Sequence, residues 1–108
     1  MNKKWLVLLA SFLPAVSFAY DWDVVAHVTQ IEASYVPTQV YFAIDQNAGT
    51  CAAGPWLLFT GNAAGGSLTD NVKAIYAGLL TALQSGNQVE VYGNNAGCTV
   101  TFVHFLNH

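Results

Sequence analysis

One stretch of helical periodicity sits among segments that alternate with period two, and this contrast limits the chain to a small, mainly-β domain carrying one helix. Between Ser67 and Gly86, the residues Leu68, Val72, Ile75, Tyr76, Leu79, Leu80 and Leu83 follow the i, i+3, i+4, i+7 rule and form one broad apolar face. Ser67 followed by Asp70 has the spacing of a capping box, with Asp70 as the alternative N-cap. Gly86 stands where a left-handed residue ends a helix.

Strand-like segments surround this helix. Trp22, Val24, Ala26 and Val28 alternate with Asp23, Val25, His27 and Thr29, predicting a first strand from Trp22 to about Ser34 that breaks before Pro37. From Thr38 to Asp45, Val40, Phe42 and Ile44 share one face. Trp56 to Thr60 is a short apolar strand after a loop rich in Gly and Ala. Gln88 to Tyr92 places Val89 and Val91 inward, Gly93 to Gly97 has turn chemistry, and Thr99 to Leu106 closes the hairpin. Several short strands with one amphipathic helix before the last hairpin point to a five-stranded Greek-key barrel of OB type, as a single domain.

The first nineteen residues read as an export signal. Lys3 and Lys4 supply a positive start, Trp5 to Val16 is apolar apart from Ser11 and Pro14, and Ser17 and Ala19 suit cleavage before Tyr20. The alternative is a membrane anchor, but the run is shorter than the ~20 residues a bilayer requires. In Tyr20 to His108, Lys73 alone faces Asp21, Asp23, Glu32, Asp45, Asp70 and Glu90, a net charge of −5 with neutral histidines. Without clustered lysine and arginine, nucleic acid and anionic membrane surfaces are excluded as partners. Cys51 and Cys98 are an even pair in a short exported chain and are expected to form a disulfide; an intermolecular bridge or two free thiols are the alternatives. His27, His104 and His108 do not stand at zinc-ligand spacing with the cysteines, so no metal or other cofactor is expected.

On the far side of the helix, Ala74, Ala77, Gly78, Thr81 and Ala82 are small and uncharged. Such a face is either an Ala-rich exposed surface or one that packs closely on a second copy. Together with the open strand edges expected of a short barrel, it points to a homo-oligomer, with Ala74, Ala77, Gly78 and Thr81 at its interface.

Two blocks carry a resemblance to a known family. The first is Val28-Thr29-Gln30 followed, after ten residues, by Tyr41-Phe42-Ala43-Ile44-Asp45. The second is Ile75-Tyr76, Leu79 to Ala82, and Ser85-Gly86-Asn87-Gln88-Val89-Glu90-Val91-Tyr92. From Val24 to Tyr92 the chain resembles the pentamer-forming B subunits of bacterial AB toxins of the subtilase cytotoxin and pertussis-like type. The resemblance implies an OB-type fold, a homo-pentamer, a glycan ligand and an enzymatic A chain as partner. Three departures stand beside it. The family's glycan-contacting serine falls on Val24, the long aromatic and proline-rich segment after the last V-x-V-Y strand is replaced by a short hairpin, and the cysteine pattern differs. No residue of the family's sialic-acid site is therefore carried over.

Catalysis needs a nucleophile beside a base, or two convergent carboxylates. The acids here are scattered, and the histidines suit surface positions. The chain is expected not to be an enzyme. Trp22, Tyr35, Tyr41, Trp56, Tyr76 and Tyr92, with many Asn and Gln, are types that stack on sugars and bond their hydroxyls without charge. Trp56 and Tyr76 are expected in the core. Trp22 and Tyr35, at the ends of the first strand, are expected exposed and are candidate ligand contacts, as are Asn94 and Asn95 at the hairpin tip, which could equally be ordinary turn formers. The expectation is an exported glycan-binding protein; the alternative is a secreted or periplasmic accessory protein, such as an inhibitor or an envelope-interaction module.

Overall fold

The computed structural model describes residues Tyr20–His108; the expected export signal lies outside them. Five strands and one α-helix occur among the described residues: β1 (Trp22–Glu32), β2 (Val40–Ile44), β3 (Leu57–Phe59), α1 (Leu68–Ser85), β4 (Gln88–Asn94) and β5 (Thr99–Phe105). They close into a barrel in the order β1-β2-β3-β5-β4, with β1 paired to β4 and β3 running parallel to β5. This is the five-stranded OB-type arrangement, with the helix between β3 and β4. Closure overturns the expectation of open strand edges, because each strand has a neighbour on both sides.

The alternation of apolar residues decides the inside. Val40, Phe42 and Ile44 of β2, Leu57 and Phe59 of β3 and Val89 and Val91 of β4 are all buried, and Ala26 and Val28 of β1 join them. A register shift between Val28 and Gln30 bends β1, after which it pairs Ile31 with Phe42 and Glu32 with Tyr41.

Ser67 caps α1 by accepting the Asp70 N–H, and Gly86 ends it in the left-handed region at φ 77°, donating to the Ala82 carbonyl. The buried helix residues are Val72, Leu79 and Ala82, with Ile75 and Tyr76 partly buried against the core. The covered stripe is thus rotated from the expected one: Leu68, Leu80 and Leu83 are exposed, while Ala82, assigned to the small face, is inside. Gly78 is also misplaced by the sequence pattern. It lies under the Phe105 ring, and its lack of a side chain lets the end of β5 close on the helix. Ala74, Ala77 and Thr81 remain exposed.

The hairpin differs as well. Gly93 and Asn94 belong to β4, pairing with Val100 and Thr99, and the turn is the tight 96–98 segment. Cys51 and Cys98 form a disulfide that ties the β2–β3 loop to this hairpin. Among the described residues no helix is long and apolar enough to cross a membrane.

Candidate functional site

The outer faces of β1, β2 and β3 meet at a row set by strand register: Glu32 lies opposite Tyr41, and Tyr41 opposite Leu58. Leu57 and Phe59 point inward, so parity turns Trp56 outward, two residues before Leu58 on the same face. The β1–β2 loop adds Tyr35, whose carbonyl accepts the N–H groups of Thr38 (2.9 Å) and Gln39 (3.2 Å) in a turn containing a cis Val36–Pro37 bond. Glu32, Tyr35, Tyr41 and Trp56 together line an open cleft of about 220 Å³.

Local contacts hold three of the groups in this cleft, Glu32, Tyr35 and Tyr41. Tyr35 and Tyr41 meet edge to face with centroids 5.9 Å apart. Gln39 Nε2 donates to the Tyr41 hydroxyl oxygen at 3.3 Å, leaving the Tyr41 O–H free to donate onward. The Glu32 carboxylate accepts the Ser34 N–H at 2.8 Å, and hydrogen bonds from the Ser34 side chain and backbone hold its pKa below the ordinary 4.5. Glu32 is therefore an anion at neutral pH. The loop that delivers Trp56 is braced by the Cys51–Cys98 bridge, by mutual backbone bonds between Ala48 and Cys51, and by Gly54 N–H donating to the Ile44 carbonyl.

Exposure separates the two tryptophans in the opposite sense from the expected one. Trp56, expected in the core, is 40 % exposed; Trp22, expected at the surface, is 7 % exposed. The Trp22 indole occupies the space left by two glycines. A β-carbon on Gly49 would lie 2.5 Å from its Cδ1, and one on Gly93 would lie 2.5 Å from its Cζ2. It plugs the end of the barrel and is removed from the candidate contacts. Tyr35 is 55 % exposed, as expected.

Asn94 and Asn95 serve the fold. Asn94 Nδ2 donates to Thr101 Oγ1 at 3.3 Å. Asn95 Oδ1 accepts the Thr50 N–H at 3.0 Å, and its own N–H donates to Asp21 Oδ2 at 3.0 Å, linking the hairpin to the β2–β3 loop and to the start of β1. Neither lines the aromatic cleft.

Two other clefts lie among the described residues. One of about 290 Å³ lies between α1 and β5, where Asn71 Oδ1 accepts the Asn62 N–H and Asn62 Nδ2 donates to the Thr101 carbonyl. The other, of about 230 Å³, lies beside Gly78 and Phe105. On the outer sheet, His27 Nδ1 stands 2.9 Å from Asp45 Oδ2, and His104 lies beside Glu90 and Tyr92. The described residues hold no group of three or more His, Cys, Asp or Glu side chains placed to bind a metal.

No family model, curated protein or solved structure matches the chain.

Proposed function

We propose that this chain is an exported, non-catalytic binding protein that recognises a glycan through the Glu32–Tyr35–Tyr41–Trp56 cleft. The observation carrying this reading is the exposure of Tyr35 and Trp56 at one cleft beside a carboxylate. Aromatic faces stack on the C–H face of a pyranose, while the Tyr41 hydroxyl and Glu32 carboxylate bond its hydroxyl groups. OB barrels often use the β2–β3 face and the β1–β2 loop for oligosaccharides; that is an argument from analogy of fold, and the site chemistry supports it. The disulfide suits the oxidising compartment that the leader composition implies.

The same proposal includes a homo-oligomer, with a pentamer favoured by the toxin B-subunit resemblance and an enzymatic A chain as a further partner. The exposed Leu80 and Leu83 on α1, beside Ala77 and Thr81, supply a surface nearly free of charge for contact between copies. A glycan-array screen of the mature protein tests the central claim, with Trp56→Ala as its control. Binding lost in Trp56→Ala, with the fold retained, supports the cleft. A blank array for the wild-type protein, or signal that survives Trp56→Ala, refutes the proposal.

A further inference from the structure

The cleft has a sign as well as a shape. We infer that it selects a positively charged group, a protonated or quaternary amine carried on the bound sugar, and rejects acidic sugars. This rests on the glycan reading for the sugar, but the charge preference stands on the cleft's own composition.

Three aromatic rings, Tyr35, Tyr41 and Trp56, surround the site, and the negative face of an aromatic ring attracts cations within about 6 Å of its centroid. The fourth wall is the Glu32 carboxylate, kept ionised by its bonds to Ser34. A ring face turned to the entering group acts in the same direction as the carboxylate. No lysine, arginine or histidine lines the cleft. Lys73, the only lysine of the described residues, lies on α1 with Nζ 3.3 Å from Asp70 Oδ1. His27 is paired with Asp45, and neither His104 nor His108 lines the cleft. The net charge of −5 over Tyr20–His108 opposes the approach of an acidic sugar and favours that of a cation.

Size narrows the ligand further. At about 220 Å³ the cleft is smaller than the ~300–1,000 Å³ of sites that enclose a whole drug-sized molecule. It admits one ring or one alkylammonium group, so the amine must belong to the residue that enters it. Amino sugars with a free amine, or a sugar bearing a choline-type substituent, satisfy both requirements.

The test is titration of the mature, disulfide-bonded protein at neutral pH, followed by the Trp56 indole resonance. The probes are three matched methyl pyranosides in both gluco and galacto series (neutral, 2-amino and uronate), with tetramethylammonium chloride and sodium acetate as sugar-free probes. The expected order is amine tightest, neutral weaker, and uronate at least tenfold weaker than the amine. Glu32→Gln should bring the amine and neutral affinities together, whatever the neutral sugar loses with the carboxylate's bonds to its hydroxyls, and an amine preference unchanged in that variant would overturn the role of Glu32. The wild-type series stands by itself should that variant fold poorly. If uronate and neutral sugars bind as tightly as the amine, charge selection is overturned and glycan recognition survives. If no glycoside binds but tetramethylammonium does, and acetate does not, the glycan reading falls and the cation site stands. Failure of every probe overturns both.

Discussion

Phe105 lies across Gly78 so closely that a β-carbon at position 78 would overlap its ring. This relationship divides the small residues of α1 into two kinds. Gly78 and Ala82 are small because β5 and the barrel press on them, whereas Ala74, Ala77 and Thr81 stand in the open. Gly78→Val is therefore expected to cost about 1–3 kcal/mol by overpacking. Leu79→Ala, which empties a fully buried position, is expected to cost about 2–5 kcal/mol. Urea unfolding checks both, and a Gly78→Val protein as stable as wild type would show that Phe105 swings aside freely.

The open side of the helix tests assembly. Light scattering of the wild-type protein is expected to give about five times the monomer mass, as the B-subunit resemblance implies. Ala77→Glu and Leu80→Glu each place a carboxylate on that side, and each should reduce the mass to that of a monomer while circular dichroism stays native. An assembly indifferent to both changes uses another surface; a wild-type monomer at tens of micromolar removes the pentamer altogether.

The two tryptophans should part company on mutation. Trp22→Ala is expected to cost about 3–5 kcal/mol, since it unplugs the barrel end. Trp22→Phe should cost less than about 1.5 kcal/mol, because the buried indole Nε1 has no protein partner to lose. Trp56→Ala should leave stability within about 1 kcal/mol and remove sugar binding. Parallel melting and binding curves distinguish the two roles.

How much of this was legible beforehand depends on parity. In β4 the alternation is clean and in β2 only the buried Ala43 interrupts it, so Val40, Phe42, Ile44, Val89 and Val91 are all inside as the pattern predicts. Trp56-Leu57-Leu58-Phe59 is a continuous apolar run, in which alternation is invisible and Trp56 cannot be told from a core residue. Trp22 sits at an inward position of β1, and only the three-dimensional meeting of Gly49 and Gly93 opens a slot for it. Glu32 is ordinary in sequence and gains meaning only through its register opposite Tyr41. The helix ends, by contrast, depend on local chemistry at Ser67 and Gly86, and both were readable.

Removing the disulfide with Cys51→Ser and Cys98→Ser together is expected to lower stability by about 4 kcal/mol, from the loop entropy released in the unfolded chain. The urea midpoint should fall without loss of the native β signal in dilute buffer. A double variant as stable as wild type would show that the backbone bonds of the β2–β3 loop suffice.

Acid should act through Asp45. Its carboxylate accepts the His27 N–H at 2.8 Å and lies 2.9 Å from the ring Nδ1, and these contacts hold it below its ordinary 3.8. The folded state thus binds this proton less readily than the unfolded state. The stabilisation is complete above roughly pH 5 and is lost as pH falls through the ordinary value toward the lowered one. Asp45→Asn is expected to flatten the fall in urea midpoint between about pH 5 and pH 3, with Glu32 supplying the part that remains. An unchanged acid limb in Asp45→Asn would assign the loss to other carboxylates.

The ring of strands is closed at its narrowest by one paired position, Leu58 beside Thr99. The β4–β5 hairpin brings together residues near in sequence, but this seam joins segments some forty residues apart, with the whole helix between them. The β1–β4 pairing, Trp22 with Gly93 and His27 with Gln88, spans more chain still. Loop-closure entropy must be met before either seam yields any gain, so both are expected to form late in folding, after the hairpin and helix. The cleft, by contrast, is walled by residues between Glu32 and Trp56 on strands that pair with their sequence neighbours, so the binding face can assemble before the ring of strands is shut.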